Sequence, residues 1–220
     1  MNTNPKAKTV LCYGASNTYS QKPDRSGRFA SDERWTGLLQ NQLGNGYYII
    51  EEGLGGRTTD LDHPNPSKPN RNGLTYFKAC LESHLPLDFI VIMLGTNDFK
   101  TVYNRSAEDI AEALRQFPEY VTSFCESRSL PEPKIILVSP PYMDDHAPHF
   151  IDSMPTPNIY DETSVQKSHD LARYIQLVAK DTDSLFLDSA PITKTGDDGC
   201  HLDRPSQALL ASALHNIITD

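Results

Sequence analysis

Residues 9–16 read Thr9-Val10-Leu11-Cys12-Tyr13-Gly14-Ala15-Ser16, a short apolar run that ends in small residues. A run of this length, bounded by glycine and serine, is typical of a strand that is buried on both faces. Four further runs have the same character, at residues 47–51, 89–94, 135–138 and 184–187. Together with residues 9–13 they predict five buried strands.

The connections between these runs carry helical periodicity. Apolar residues recur at helix spacing over 35–43, 76–84, 165–180 and 205–218. A further helix is predicted to begin at Ser106, with Asp109 completing a capping box, and to be kinked or broken at Pro118. Strands that alternate with helices predict an α/β fold with a parallel sheet, and we expect one domain over residues 1–220 with a flexible N-terminus at 1–7.

Composition limits the partners that we expect. The chain has 29 acidic and 20 basic residues and a formal net charge of −9, which disfavours nucleic acid and anionic membranes. The apolar run at residues 10–13 is too short for a signal peptide or a membrane span, so we expect a cytoplasmic protein.

The cysteines and histidines do not have the spacing of metal ligands. The four cysteines are dispersed along the chain and are expected to be reduced thiols in the core: Cys12, Cys80, Cys125 and Cys200. No pair of histidines lies at the spacing of a zinc motif. We therefore expect neither a metal nor a cofactor.

Four short segments contain residues suited to catalysis, although each has a plain structural alternative. Ser16 follows the first strand, where a nucleophile would be presented, but a turn serine that caps a helix looks the same. The glycines of segment 53–59 allow backbone N–H groups to approach a ligand closely, as a structural turn also would.

The third segment, Gly95-Thr96-Asn97-Asp98, places an amide donor after a buried run, where it could bind a developing oxyanion. The fourth, Asp198-Gly199-Cys200-His201, places a carboxylate three residues before an imidazole and could fix its tautomer. An isolated Asp-x-x-His is more often a capping turn. Because parallel strands end at one edge of a sheet, all four segments together predict a serine-hydrolase site.

The order of these segments resembles the four blocks of the SGNH, or GDSL-like, hydrolases, and the resemblance extends from Gly14 to His201. It implies a flavodoxin-like three-layer α/β/α sandwich with a five-stranded parallel sheet of order 2-1-3-4-5. It also implies a catalytic triad of Ser16, Asp198 and His201. The oxyanion hole would consist of the N–H groups of Ser16 and Gly56 and the side-chain amide of Asn97.

Longer phrases, such as Arg34-Trp35-Thr36-Gly37 and Met93-Leu94-Gly95-Thr96-Asn97-Asp98, resemble the mycobacterial arylesterase/acyltransferase branch of the family. This implies hydrolysis of short-chain aryl or alkyl esters, with acyl transfer to alcohols or peroxide as a further activity. The alternatives are a carbohydrate O-acetylesterase, a thioesterase or lysophospholipase, and a catalytically weakened relative that binds an acyl or sugar ligand.

Two features depart from the family pattern. The first block usually has aspartate before the nucleophile, where this chain has Ala15. Segment 140–160 also differs from the insertion that, in the branch, helps to form the oligomer and to narrow the active-site channel. A homo-oligomer is therefore left open, and the expected partner is a small-molecule ester.

Four residues that flank the motifs are candidates for binding this ester, with ordinary loop residues as the alternative: Asn17, Tyr19, Lys100 and Cys200. Two irregular segments, 63–72 and 140–160, are too long to be simple connectors. We expect them to shape a site or an oligomer contact, with a surface insertion as the alternative.

Overall fold

The five predicted strands lie side by side in one parallel sheet. The computed structural model describes residues 2–150 and 159–220. Its strands are β1 (Lys8–Gly14), β2 (Tyr47–Gly53), β3 (Phe89–Met93), β4 (Lys134–Ser139) and β5 (Leu185–Asp188). They pair in the order β2-β1-β3-β4-β5 with every neighbour parallel, which confirms the predicted fold class.

Helices cover both faces of the sheet. They are α1 (Ser16–Tyr19), α2 (Trp35–Leu43), α3 (Gly73–His84), α4 (Ala107–Arg128), α5 (Glu162–Asp181) and α6 (Arg204–Thr219). Because side chains alternate across a strand, Leu11 and Tyr13 of β1 enter one core with α3, α4 and α5. Val10 and Cys12 enter the other core, with α2 and α6. The result is a three-layer α/β/α sandwich.

Helix α4 differs from its prediction at one point. The capping box of Ser106 and Asp109 is present, as the sequence predicts. The helix nevertheless continues through Pro118 to Arg128, so of the two predicted alternatives the break is wrong and the kink stays a prediction. Pro118 is buried, and Phe117 and Val121 of the same helix pack in the core, so burial of this part of α4 outweighs the local penalty of the proline.

The N-terminal segment lies against the beginning of β2. The Asn2 amide donates to the carbonyl of Tyr47 over 2.7 Å, and the Asn4 amide donates to that of Asn45 over 2.9 Å. The flexibility expected for residues 1–7 stays a prediction. No helix within the described residues is long and apolar enough to cross a membrane.

The register of the sheet brings the ends of three strands to one level. Gly14 of β1 pairs with Gly53 of β2 on one side and with Met93 of β3 on the other. The chain turns from Gly14 directly into α1, which then passes against the end of β2. A Cβ atom on Gly53 would lie within 2.6 Å of the backbone of Thr18 and Tyr19. Only glycine therefore lets α1 pack this closely.

We expect Gly53→Ala to lower the free energy of unfolding by about 1–3 kcal/mol, because backbone atoms must move to admit the methyl group. Urea unfolding followed by circular dichroism measures the change. Gly46→Ala is the matched control, since a Cβ there meets no atom within 4 Å. Equal stability of the two variants would show that α1 is not held against Gly53.

Candidate active site

Ser16 lies at the beginning of α1, one residue beyond the end of β1. Its side chain is buried, and as the first helical residue its N–H group has no carbonyl acceptor within α1. Ala15, which stands where the family pattern has aspartate, is buried in the core that contains Tyr13. The position therefore contributes packing to this chain and no charge.

His201 and Asp198 form a short hydrogen bond. Nδ1 of His201 lies 2.5 Å from Oδ2 of Asp198. The other carboxylate oxygen accepts the backbone N–H groups of Cys200, over 3.0 Å, and of His201, over 2.9 Å. Burial raises the pKa of Asp198, but the hydrogen bonds and the nearby imidazole outweigh it and hold this pKa below its ordinary value. An ionised Asp198 keeps a proton on Nδ1 and leaves Nε2 free to accept one.

The Asn17 side chain connects the segment around His201 to the helix of Ser16. Its amide nitrogen donates to the carbonyl of Cys200 over 3.2 Å, and its amide oxygen accepts the N–H of Leu202 over 2.9 Å. These two residues flank His201. Asn17 thus fixes the imidazole segment to the helix that begins with the serine.

The Asn97 amide is held by two hydrogen bonds that fix its orientation. Its nitrogen donates to the carbonyl of Arg57 over 3.0 Å. The ammonium of Lys100 donates to its oxygen over 2.7 Å. Because an ammonium is only a donor, it must face the amide oxygen, which leaves the second N–H of Asn97 available to a ligand.

Gly56 lies in the turn after β2 with a φ of +82°, a conformation that favours glycine. A Cβ atom at this position would meet Nε of Arg71 at 3.1 Å. The Arg71 guanidinium therefore lies directly beside Gly56.

A buried ionic network joins the turn after β2 to the turn after β3. The Asp98 carboxylate accepts the N–H of Thr59 over 3.1 Å and its hydroxyl over 2.6 Å. Arg105 lies 3.4 Å from Asp98 and 2.6 Å from Asp60. Burial raises the pKa of Asp98 to about 6, although the hydrogen bonds from Thr59 and the charge of Arg105 lower it. The network fixes Asn97 relative to the turn that contains Gly56.

One cavity of about 300 Å³ brings the predicted residues together. Its wall includes all five residues that the sequence assigns to the triad and the oxyanion hole: Ser16, Gly56, Asn97, Asp198 and His201. Lys100 and Cys200, two of the four candidates for substrate binding, also line it. The other two are placed elsewhere, since Asn17 forms the bridge described above and Tyr19 is 39% exposed beneath the Arg28 guanidinium.

Several cavity residues were not predicted individually. His63, Lys68 and Arg71 lie in irregular segment 63–72, and Ile159 and Tyr160 lie in irregular segment 140–160. The sequence predicts that both segments shape a site or an oligomer contact, whereas Gln21 and Arg25 belong to neither of them. In the second irregular segment, the backbone N–H of His149 donates to the carbonyl of Asp197 over 2.8 Å. Residues 151–158 lie outside the described part of the chain.

The structure also groups three potential metal ligands, Glu52, Cys80 and His84, whose ligating atoms lie within 4.8 Å of one another. The Glu52 carboxylate already accepts the hydroxyl of Tyr76. Burial raises the pKa of Cys80 to about 12, so the thiolate that a metal requires is disfavoured.

All four cysteines are buried free thiols, which confirms the prediction that they are reduced thiols in the core. The absence of a metal stays a prediction.

Comparisons with known proteins show the family and the folds to which the chain is similar. The sequence profile of the GDSL-like lipase/acylhydrolase family matches residues 12–215. Inhibitor-bound M. smegmatis aryl esterase is 37% identical, with a TM-score of 0.85 and coverage of 97% of this chain and 99% of that chain. A carbohydrate acetylesterase from Sinorhizobium meliloti is 35% identical, with a TM-score of 0.84 and coverage of 96% and 98%. No curated protein sequence matches the chain.

Asp98 should make stability depend on pH. Its pKa is about 6 in the folded protein against an ordinary value of 3.8, so between these values the folded state binds more protons than the unfolded state. This contribution to stability is present below pH 4 and falls by up to about 3 kcal/mol as the pH rises through 6. Urea unfolding from pH 4 to 7 should therefore show a fall that Asp98→Asn lacks.

The control for this measurement is Asp183→Asn, which removes an exposed carboxyl at a turn. Its profile should follow that of the unchanged protein. Parallel profiles for Asp98→Asn and the unchanged protein would contradict the assignment of the pH dependence to Asp98.

Proposed function

The chain belongs to the GDSL-like lipase/acylhydrolase family, and on that premise we propose that it is a serine esterase that hydrolyses short-chain aryl or alkyl esters. One observation carries the proposal. The 2.5 Å pair of His201 and Asp198 lines the same cavity as Ser16, Gly56 and Asn97. A nucleophile, a base with its orienting carboxylate and oxyanion donors are the parts that acyl transfer through serine requires.

In the proposed reaction, Oγ of Ser16 attacks the ester carbonyl carbon while Nε2 of His201 takes the hydroxyl proton. The carbonyl π electrons move to oxygen and return as the bond to the alcohol breaks. The alcohol leaves with the proton from His201. Water then loses a proton to His201 and attacks the acyl-enzyme, which releases the acid and restores Ser16.

We assign the oxyanion hole to the N–H groups of Ser16 and Gly56 and the free N–H of Asn97. The first position of α1 supplies an unpaired donor, and the Lys100 hydrogen bond orients the amide. Donors that are already fixed need no reorganisation as negative charge develops on the carbonyl oxygen.

Carbohydrate O-acetyl esters are the second candidate substrate, because a carbohydrate acetylesterase is nearly as similar to the chain as an aryl esterase. A panel of phenyl acetate, acetylated xylose, acetyl-CoA and a lysophospholipid distinguishes the candidates by kcat/KM. Acyl transfer is tested by adding an alcohol and measuring the new ester against the acid. Preference for the acetylated sugar would replace aryl esters with the second candidate.

Ser16→Ala should abolish hydrolysis of p-nitrophenyl acetate and labelling by a fluorophosphonate probe, while the circular dichroism spectrum is unchanged. Loss of Oγ removes the only atom that forms the acyl-enzyme. Ser83→Ala, on the exposed side of α3, is the matched control and should retain both activities. A folded wild-type protein that neither labels nor hydrolyses any ester would instead be the weakened relative that binds ligands.

Asn97→Ala should lower kcat for p-nitrophenyl acetate by about 10²–10³ and change KM little, since this donor binds charge that develops only in the transition state. Steady-state kinetics measures both constants. Asn41→Ala, on the exposed side of α2 and away from the cavity wall, controls for general loss of structure. A rise in KM alone would place Asn97 in substrate binding and outside the oxyanion hole.

A further inference from the structure

The cavity beside Ser16 is strongly cationic although the protein carries a net charge of −9. Four basic side chains line its wall: Arg25, Lys68, Arg71 and Lys100. The acidic residue on the same wall is Asp198, and its carboxylate is already bonded by His201 and two backbone N–H groups. The described wall therefore has an excess of positive charge.

Among the described residues, no carboxylate lies within 4 Å of these four cations. Across residues 2–150 and 159–220, the ion pairs within 4 Å involve other basic residues. The nearby acids Asp60 and Asp98 are both paired with Arg105. Lys100 instead donates to the neutral amide of Asn97, and Arg71 donates to the carbonyl of Pro69.

The cations lie close enough to repel one another. The pKa of Lys100 is lowered to about 8, chiefly by burial and then by the charges of Lys68 and Arg71, while Asp98 and Cys200 act in the opposite direction. Burial likewise lowers the pKa of His63, and the charges of Lys100, Lys68 and Arg71 add to this effect. Like charges held close together destabilise the site where they are not paired, and a bound anion would relieve their repulsion.

We propose that the esters hydrolysed at Ser16 carry an anionic group, such as a carboxylate, which binds to Lys68 and Arg71 at the wall of the cavity. This rests on the proposed esterase function. The anion is part of the substrate and is distinct from the oxyanion, which forms during the reaction next to Gly56 and Asn97. It belongs either to the acyl part or to the alcohol part of the ester.

Two pairs of esters that differ only in charge test the proposal. Monoethyl succinate and ethyl succinamate place a carboxylate or its neutral amide on the acyl part. The salt of 4-(acetoxymethyl)benzoic acid carries a carboxylate on the alcohol part of the ester, and the corresponding amide carries a neutral amide there. We expect the anionic member of one pair to have the higher kcat/KM, mainly through a lower KM, and that pair identifies the part that carries the charge.

Lys68→Gln and Arg71→Gln should each reduce the preference for the anionic ester by about threefold to fivefold, as expected for a partly exposed charge pair. Arg71→Lys should retain most of the preference because it keeps the charge. Lys180→Gln is the matched control. It removes an exposed positive charge at the end of α5, just before β5 begins. This charge lies at the amino ends of the strands, whereas the cavity lies at their carboxyl ends, so we expect the preference to be unchanged.

Salt provides a test that needs no variant. Raising NaCl from 0.02 to 0.5 M should lower kcat/KM for the anionic ester and leave that for its neutral partner nearly constant, because salt screens the attraction. Equal salt dependence of both esters, or equal losses for both in Lys68→Gln and Arg71→Gln, would overturn the proposal. If the neutral esters are still hydrolysed in a manner that requires Ser16, the esterase function stands. If no ester of either pair is hydrolysed, the proposed function itself fails.

Discussion

The geometry of the site depends on the contact between α1 and its two neighbours at the edge of the sheet. On one side α1 packs directly on Gly53 at the end of β2. On the other, the Asn17 amide holds the backbone on both sides of His201, more than 180 residues away in sequence. The serine and the imidazole are thereby fixed to one four-residue helix. A shift of α1 would move both relative to the turns that contain Gly56 and Asn97.

The charged residues around α1 have two different roles. The buried carboxylates Asp98 and Asp198 are fully engaged in hydrogen bonds and position their neighbours. Among residues 2–150 and 159–220, no carboxylate forms an ion pair with the four cations on the cavity wall, so the lining of the cavity is positively charged within an acidic protein. Overall charge controls long-range encounter, whereas the few charges that line a cavity control what binds there. The net charge of the whole chain, −9, has the opposite sign to the charge of the cavity lining.

Ala15 illustrates how a departure from a family pattern can leave a site intact. The side chain is buried among apolar core residues, and the neighbouring groups are held without a carboxylate at this position. Asn17 positions the segment of His201, and Asp198 orients the ring. The loss of an aspartate there changes the charge next to Ser16 and removes none of these contacts.

Local patterns in the sequence predicted the five strands, their parallel direction, the helices other than α1 and the four segments with residues suited to catalysis, whereas the strand order and the choice of Gly56 came from the family resemblance. Strand runs such as 89–94 are local apolar patterns, and parallel strands must end at one edge. The sequence did not determine that α4 continues through Pro118, because packing against the core overrides the local preference. It also could not reveal the cationic cavity or the bridging role of Asn17. Arg25, Lys68 and Lys100 lie in three separate loops, and only the shared register of β1, β2 and β3 brings them together.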